Sequence, residues 1–194
     1  TQIWLWGQGT RPGLPKFADQ FGKTGAMISA VALLQSIGLY AGMELIKVPG
    51  ATGYIDTNYA GKAAAAIDAL DRHDFVFIHI EAPDEMGHEG DYKRKIQSLE
   101  LIDRHIVGPV ADALKARGSY RMVISPDHPT PCELMTHTRE PVPFLISGDG
   151  ITPDAARRLT EIEARATGWI VETGHRLISI LFNPSPDALP PAAR

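Results

Sequence analysis

A single cysteine, Cys132, among 194 residues leaves the chain without an internal disulfide, the condition of proteins kept in a reducing compartment. Long hydrophobic runs are missing as well, and nothing approaches the roughly 20 apolar residues that a membrane-spanning helix needs. Basic charge is scarce. Its longest run is Lys93-Arg94-Lys95, and a net charge of -4 with a pI near 5.9 gives no general attraction to nucleic-acid backbones or anionic lipid. These absences predict a cytoplasmic globular protein with no nucleic-acid or membrane partner. The chain also lacks an initial Met and opens on Ile3-Trp4-Leu5-Trp6 without the cationic segment and cleavage site of a secretory signal. The expectation is a segment of a longer protein. What is present, 44% hydrophobic residues with 18 Gly and 15 Pro, suits one compact α/β domain with a sizeable core.

Residues 1–22 carry Trp, Gly, Pro and Lys without a clear period and read as a connector entering a domain, with Trp4 and Trp6 able to pin it to a core. Short apolar or β-branched runs predict strands at Ala26–Ala30, Glu44–Val48, Phe75–Ile80, Arg121–Ser125 and Val142–Ser147. Helices are expected at Val31–Ile37, stopping near Gly38, and at the alanine-rich Asn58–Leu70. Ile96, Leu99, Ile102, Ile106, Val110 and Leu114 recur at three and four residues, so one helical stripe is expected over about Tyr92–Ala116, kinked near His105 by Pro109. Two more helices are expected at Asp154–Ala166 and Thr173–Phe182, with a loose tail over 184–194. Strands alternating with helices predict a largely parallel sheet with helices on both faces.

In open α/β sheets, functional groups collect in loops at the carboxyl ends of strands. Two such loops stand out. After Phe75–Ile80 comes Glu81-Ala-Pro-Asp84-Glu-Met-Gly-His88-Glu89, and after Arg121–Ser125 come Pro126-Asp127-His128 and His137-Thr-Arg139. Carboxylate oxygen mixed with imidazole nitrogen suits Mn²⁺, Zn²⁺ or Fe²⁺ better than Ca²⁺. Asp and His are equally common as ordinary turn and capping residues, and residue spacing by itself leaves both readings standing. Other candidates have simpler roles. Gly7-Gln-Gly9 lacks dinucleotide-turn spacing and a preceding strand, Ser125 lacks nucleophile-elbow glycines, and Cys132 has no assigned base. His73, His79 and His175 read as core, surface or helix-terminus residues, and Arg11, Lys23, Lys47 and Arg139 as solvated charge.

The run Glu-Ala-Pro-Asp84-Glu-x-Gly-His88-x-Gly, then Ser-Pro-Asp127-His128-Pro-Thr-Pro and His137-Thr-Arg-Glu-Pro-Val-Pro, resembles the archaeal-type cofactor-independent phosphoglycerate mutases of the alkaline phosphatase superfamily. Trp4-x-Trp6-Gly-x-Gly and Val48-Pro-Gly-Ala-Thr-Gly-Tyr-x-Asp-Thr-Asn58 extend the similarity along nearly the whole chain. The resemblance implies two divalent ions, Mn²⁺ before Zn²⁺ or Mg²⁺, one held by Asp84, His88 and His137 and the other by Asp127 and His128. In that family an N-terminal aspartate and a phosphorylated serine complete the second site, and neither has a counterpart here. The resemblance therefore implies that residues 23–183 are the C-terminal part of a phosphatase-like catalytic domain, incomplete on its N-terminal side. Residues 1–22 would return from an inserted domain, and the partner would be the N-terminal half of the same enzyme. The implied reaction interconverts 3- and 2-phosphoglycerate through a phosphoserine, with no catalytic nucleophile in this chain. Glu81, Glu89 and Glu133 are the expected carboxylates behind the imidazoles. A phosphatase or phosphodiesterase of the same superfamily, or an inactive metal-binding fragment, stands beside that reading.

Overall fold

The computed structural model describes residues 9–10 and 13–183. Trp4, Trp6, Arg11 and the expected loose tail over 184–194 lie outside the described residues. Within the supposed connector, Phe17–Phe21 forms a short helix, α1, because Phe17 is buried rather than solvated. It starts an aromatic cluster in which Phe17 stacks on Phe75 at 5.2 Å between centroids and meets Phe182 edge-on at 5.9 Å.

The central strand β1 (Gly25–Ile28) is buried at every position. It pairs in parallel with β2 (Glu44–Leu45) on one side and with β3 (Phe75–Ile78) on the other, Ala26 opposite Glu44 and Val76. Both faces are covered, as a parallel sheet requires. Helix α2 (Ala32–Tyr40) runs through Gly38 instead of stopping there. A Cβ at Gly38 would lie 2.8 Å from Met27 Sδ, so this glycine serves close helix-to-sheet packing. Helix α3 (Tyr59–Ala69) starts where Asn58 Oδ1 accepts the Gly61 N–H at 2.8 Å. Its inner face carries Tyr59, Ala63, Ala66 and Ala69, with Lys62 buried among them.

The segment expected as a polar loop after β3 contains a helix, α4 (Ala82–His88), with Pro83 in its first turn and Asp84 and Glu85 at its electropositive end. The long helix that follows is broken into α5 (Tyr92–Ile102), a π-turn (Asp103–Val107) and α6 (Gly108–Arg117). Gly108 N–H reaches back to the Asp103 carbonyl, and the wider turn takes up the crowding that Pro109 brings to the His105 carbonyl. The expected kink is thus a π-turn. Ile106, Val110 and Leu114 pack with Tyr59 and Ala63 into the main apolar cluster.

Strand β4 (Arg121–Ile124) pairs with β5 (Leu145–Gly148), antiparallel, Arg121 opposite Gly148. Among the described residues these two form a sheet separate from the three parallel strands. The helix expected from Asp154 begins only at Glu161, as α7 (Glu161–Thr167). Thr160 Oγ1 accepts the Glu163 N–H, and Glu163 turns its carboxylate back to the N–H groups of Arg157 and Arg158, a capping arrangement that stops the helix from extending N-terminally. Those bonds and Arg158 hold the Glu163 carboxyl at about 2. A single 3₁₀ turn (Gly174–Arg176) leads into α8 (Leu177–Phe182), whose last carbonyls accept from Arg121 Nη1 at 3.0 and 2.9 Å.

Candidate metal centre

Asp84 and His88 lie four residues apart on α4 and so share a helix face. His88 Nε2 is 3.3 Å from Asp84 Oδ2. The loop after β4 brings its own groups to the same place. His137 Nε2 lies 3.4 Å from Asp84 Oδ1 and 3.1 Å from His88 Nε2, and His128 Nδ1 lies 4.0 Å from Asp84 Oδ1. The His128 and His137 rings overlap at 3.8 Å between centroids. Ligand atoms of Asp84, His128 and His137 all fall within 4.8 Å of one another.

Asp127 stands apart. Its side chain is exposed, its Oδ1 accepts the His128 N–H at 3.1 Å, and its Oδ2 lies 3.3 Å from His128 Nε2. Of the five residues expected to bind metal, His88, His128 and His137 therefore converge on a fourth, Asp84, and Asp127 reaches the group through His128.

The approach of α4 to the loop depends on Gly87, where any Cβ would run into the Thr130 carbonyl. Lys95 Nζ donates to that carbonyl from α5, and the Thr130 hydroxyl donates to Asp84 Oδ1. The His88 ring is oriented by a main-chain group: the Met135 carbonyl lies 3.0 Å from Nδ1. A carbonyl only accepts, so Nδ1 carries the proton and a neutral His88 turns its Nε2 lone pair toward His137 and Asp84. Met135 is held at φ 51°, uncommon for a residue with a side chain.

Behind this group lies a second polar set at the ends of β1 and β3. Ser29 Oγ is 3.3 Å from His79 Nδ1, His79 Nε2 is 3.3 Å from Glu81 Oε2, and the buried Lys62 ammonium donates to the His79 carbonyl at 3.3 Å. Burial pushes the His79 imidazole below its ordinary value against the pull of Asp127, and lowers Lys62 against the attraction of Glu81. Burial raises Glu81, helped by Asp84, Glu85 and Asp127.

Two of the expected backing carboxylates, Glu81 and Glu89, are engaged elsewhere. Glu81 meets His79, and Glu89 accepts from Tyr54 Oη and lies 3.5 Å from Arg94 Nη1. Thr130 and Met135 hold the site instead, and the sequence carries no side-chain signal for a carbonyl. Lys62 was not among the expected residues, although a lysine on the alanine face of α3 is a signal that points to it. The weaker candidates fall as read: Ser125 donates to the Pro126 carbonyl at 2.7 Å, His73 pairs with Glu44 at 2.5 Å, and Cys132 Sγ lies 3.9 Å from the Met86 carbonyl.

The donor set fits a divalent transition metal. Imidazole nitrogens and a carboxylate turn toward one another, and among the described residues no lysine or arginine pairs with Asp84. Helices on a parallel sheet, with these groups at the strand ends, define the class: an α/β protein with a candidate metal centre. The model of the Metalloenzyme superfamily matches residues 1–174, and the chain belongs to that superfamily, whose name implies bound metal.

A probable 2,3-bisphosphoglycerate-independent phosphoglycerate mutase of Geobacter sulfurreducens is 49% identical over 182 residues, 93% of this chain and 46% of that protein. A 2,3-bisphosphoglycerate-independent phosphoglycerate mutase of Methanothrix thermoacetophila is also 49% identical, over 181 residues and the same shares. Among solved structures, a protein of Pyrococcus horikoshii superposes with a TM-score of 0.82 at 35% identity, covering 88% of this chain and 52% of that one. The cofactor-independent phosphoglycerate mutase of Thermoplasma acidophilum, at TM-score 0.65 and 23% identity, covers 88% of this chain and 39% of its own and supports the fold alone. The motif resemblance is thus borne out, and the chain spans about half the length of the curated relatives it matches. No helix among the described residues is long and apolar enough to cross a membrane.

Proposed function

We propose that this chain is the C-terminal metal-binding portion of a cytoplasmic phosphoglycerate mutase. The enzyme would interconvert 3- and 2-phosphoglycerate through a phosphoserine whose serine belongs to the other half of the full-length protein. The observation that carries this reading is the convergence of His88, His128 and His137 on Asp84, in a chain 49% identical to relatives bearing that name. Residues 23–183 would supply this part of the catalytic domain, entered through 1–22 from an inserted domain.

Asp84, His88 and His137 would hold one ion and Asp127 with His128 another, Mn²⁺ first by the mixture of hard oxygen and imidazole, with Zn²⁺ or Mg²⁺ as alternatives. When bound, such ions supply positive charge to the oxygens of a transferring phosphoryl group. The chain's own residues prepare the site. The Met135 carbonyl keeps the His88 proton on Nδ1, the Thr130 hydroxyl fixes the rotation of the Asp84 carboxylate, and Lys95 anchors Thr130. The phosphoryl group would pass from the 3-oxygen of the substrate to the serine oxygen, with the serine proton ending on the freed 3-oxygen. The glycerate then turns within the site and takes it back on its 2-oxygen, so no phosphate is lost. Imidazoles bind metal in the neutral form, so acidification weakens binding.

The test is a full-length chimera in which this chain replaces the matched region of the Geobacter sulfurreducens relative. It is expected to convert 3-phosphoglycerate, whereas the 194-residue chain alone shows no turnover. Asp84→Ala or His137→Ala in the chimera should abolish conversion and lower bound metal, and full activity with normal metal content would overturn the reading. Release of inorganic phosphate without 2-phosphoglycerate would assign a phosphatase instead.

A further inference from the structure

Tyr92, Ile96 and Leu99 occupy one stripe of α5, at i, i+4 and i+7, and are 59%, 52% and 51% exposed. By helical period Ile96 and Leu99 belong to the stripe of Ile106, Val110 and Leu114, which is buried. The π-turn at Asp103–Val107 separates the two halves. Its wider winding rotates α5 about its axis relative to α6, so that Ser98 faces inward and the three large apolar side chains face out.

π-turns concentrate at functional sites, and a bare apolar stripe is unfavourable in water. Both features make sense together if something covers the stripe. Beside the stripe on α5, Lys95 is engaged with the Thr130 carbonyl, and the exposed Lys93 and Glu100 form its polar rim. The stripe begins just past Gly90, against which Met135 packs, and Leu134 and Met135 are themselves 57% and 54% exposed. Apolar surface therefore leads from the rim of the metal centre, where the Met135 carbonyl holds His88, onto α5.

The matched region is only 46% of the length of the Geobacter sulfurreducens relative, so a body of similar size lies outside it there. We propose that the face formed by Tyr92, Ile96 and Leu99, continued by Leu134 and Met135, is where that other half of the full-length protein docks, closing against the side of the metal centre. This rests on the reading of the chain as one half of a mutase, and it adds the place of contact.

Leu99→Cys, placed in a Cys132→Ser background, is labelled with a thiol reagent in the chain alone and in the chimera, beside Leu39→Cys on α2 as an exposed control. The expected result is labelling at Leu99→Cys slowed 10-fold or more in the chimera, with the control unchanged. Carbene footprinting of the unsubstituted proteins gives the same comparison at Tyr92 and Ile96 without any substitution. Equal reactivity in chain and chimera by both methods would overturn the docking site. Protection that already appears in the chain alone as its concentration rises, removed by Ile96→Glu, would overturn it in favour of a second copy. A chimera that protects the stripe yet makes no 2-phosphoglycerate would keep the docking site and refute the mutase reading, and an active chimera with an open stripe would do the reverse.

Discussion

Two polar groups lie near the strand ends, each setting imidazole beside a carboxylate, and they are put to different ends. The outer one, Asp84 with His88, His128 and His137, is partly open to solvent and keeps its imidazole nitrogens turned toward a shared point. The inner one, Ser29, Lys62, His79 and Glu81, is largely enclosed, and its polar atoms satisfy one another. Burial decides the contrast. It favours the neutral forms of His79 and Glu81 and binds the inner set into the fold, while the outer set stays available to a ligand. A histidine beside a carboxylate is therefore a ligand candidate when its nitrogens face outward to a common centre and a structural part when they face a closed ring of partners.

Substitutions should separate the two. The largest effect is expected from Asp84→Ala, which removes the carboxylate that three imidazoles face. Mn²⁺ affinity by titration calorimetry should fall beyond the roughly 10–100-fold typical of losing an outer partner, with the melting temperature of the metal-free chain little changed. Lys62→Ala should do the opposite. Loss of a buried stem and its bond to the His79 carbonyl should cost about 2–4 kcal/mol in urea unfolding, and a Lys62→Ala chain that kept its stability but lost metal would erase the distinction.

Gly87→Ala probes the hinge that brings α4 onto the loop. Its methyl group would meet the Thr130 carbonyl, so about 1–3 kcal/mol of stability and some metal affinity should be lost together. The smallest expected effect is a pH slope. His79 is held below 6.5 by burial, so the unfolded chain takes up a proton that the folded one refuses as pH falls. The stability contribution is present above the unfolded value and is lost as pH drops through the folded one. His79→Gln should flatten that slope in unfolding curves collected across the histidine range.

Much of this was readable beforehand, for physical reasons. The strands at Phe75 and Arg121 announced themselves as apolar runs, the Ala-rich α3 by propensity, and Asp84, His88, Asp127, His128 and His137 by position after strands and by motif. Helix α4 escaped because it is only seven residues long and carries Pro83 and Gly87 beside its acidic pair, so composition spoke for a loop. Helix α7 starts at Glu161 and not at Asp154 because Thr160-x-x-Glu163 is a capping pattern, a local signal stronger than the acidic residue upstream. The outward turn of Ile96 and Leu99 could not be read from periodicity, because a π-turn breaks the period it would be read from.

The contact that orients His88 is made by the Met135 main chain, and its donor-acceptor chemistry is therefore the same for every amino acid that could stand there. An alanine scan would not reach this contact, since Met135→Ala keeps the carbonyl. Evolution is free to vary the side chain, provided that it tolerates a left-handed backbone, while the tautomer of His88 stays fixed. The most dependable part of this centre is thus written in the one group that no substitution can delete.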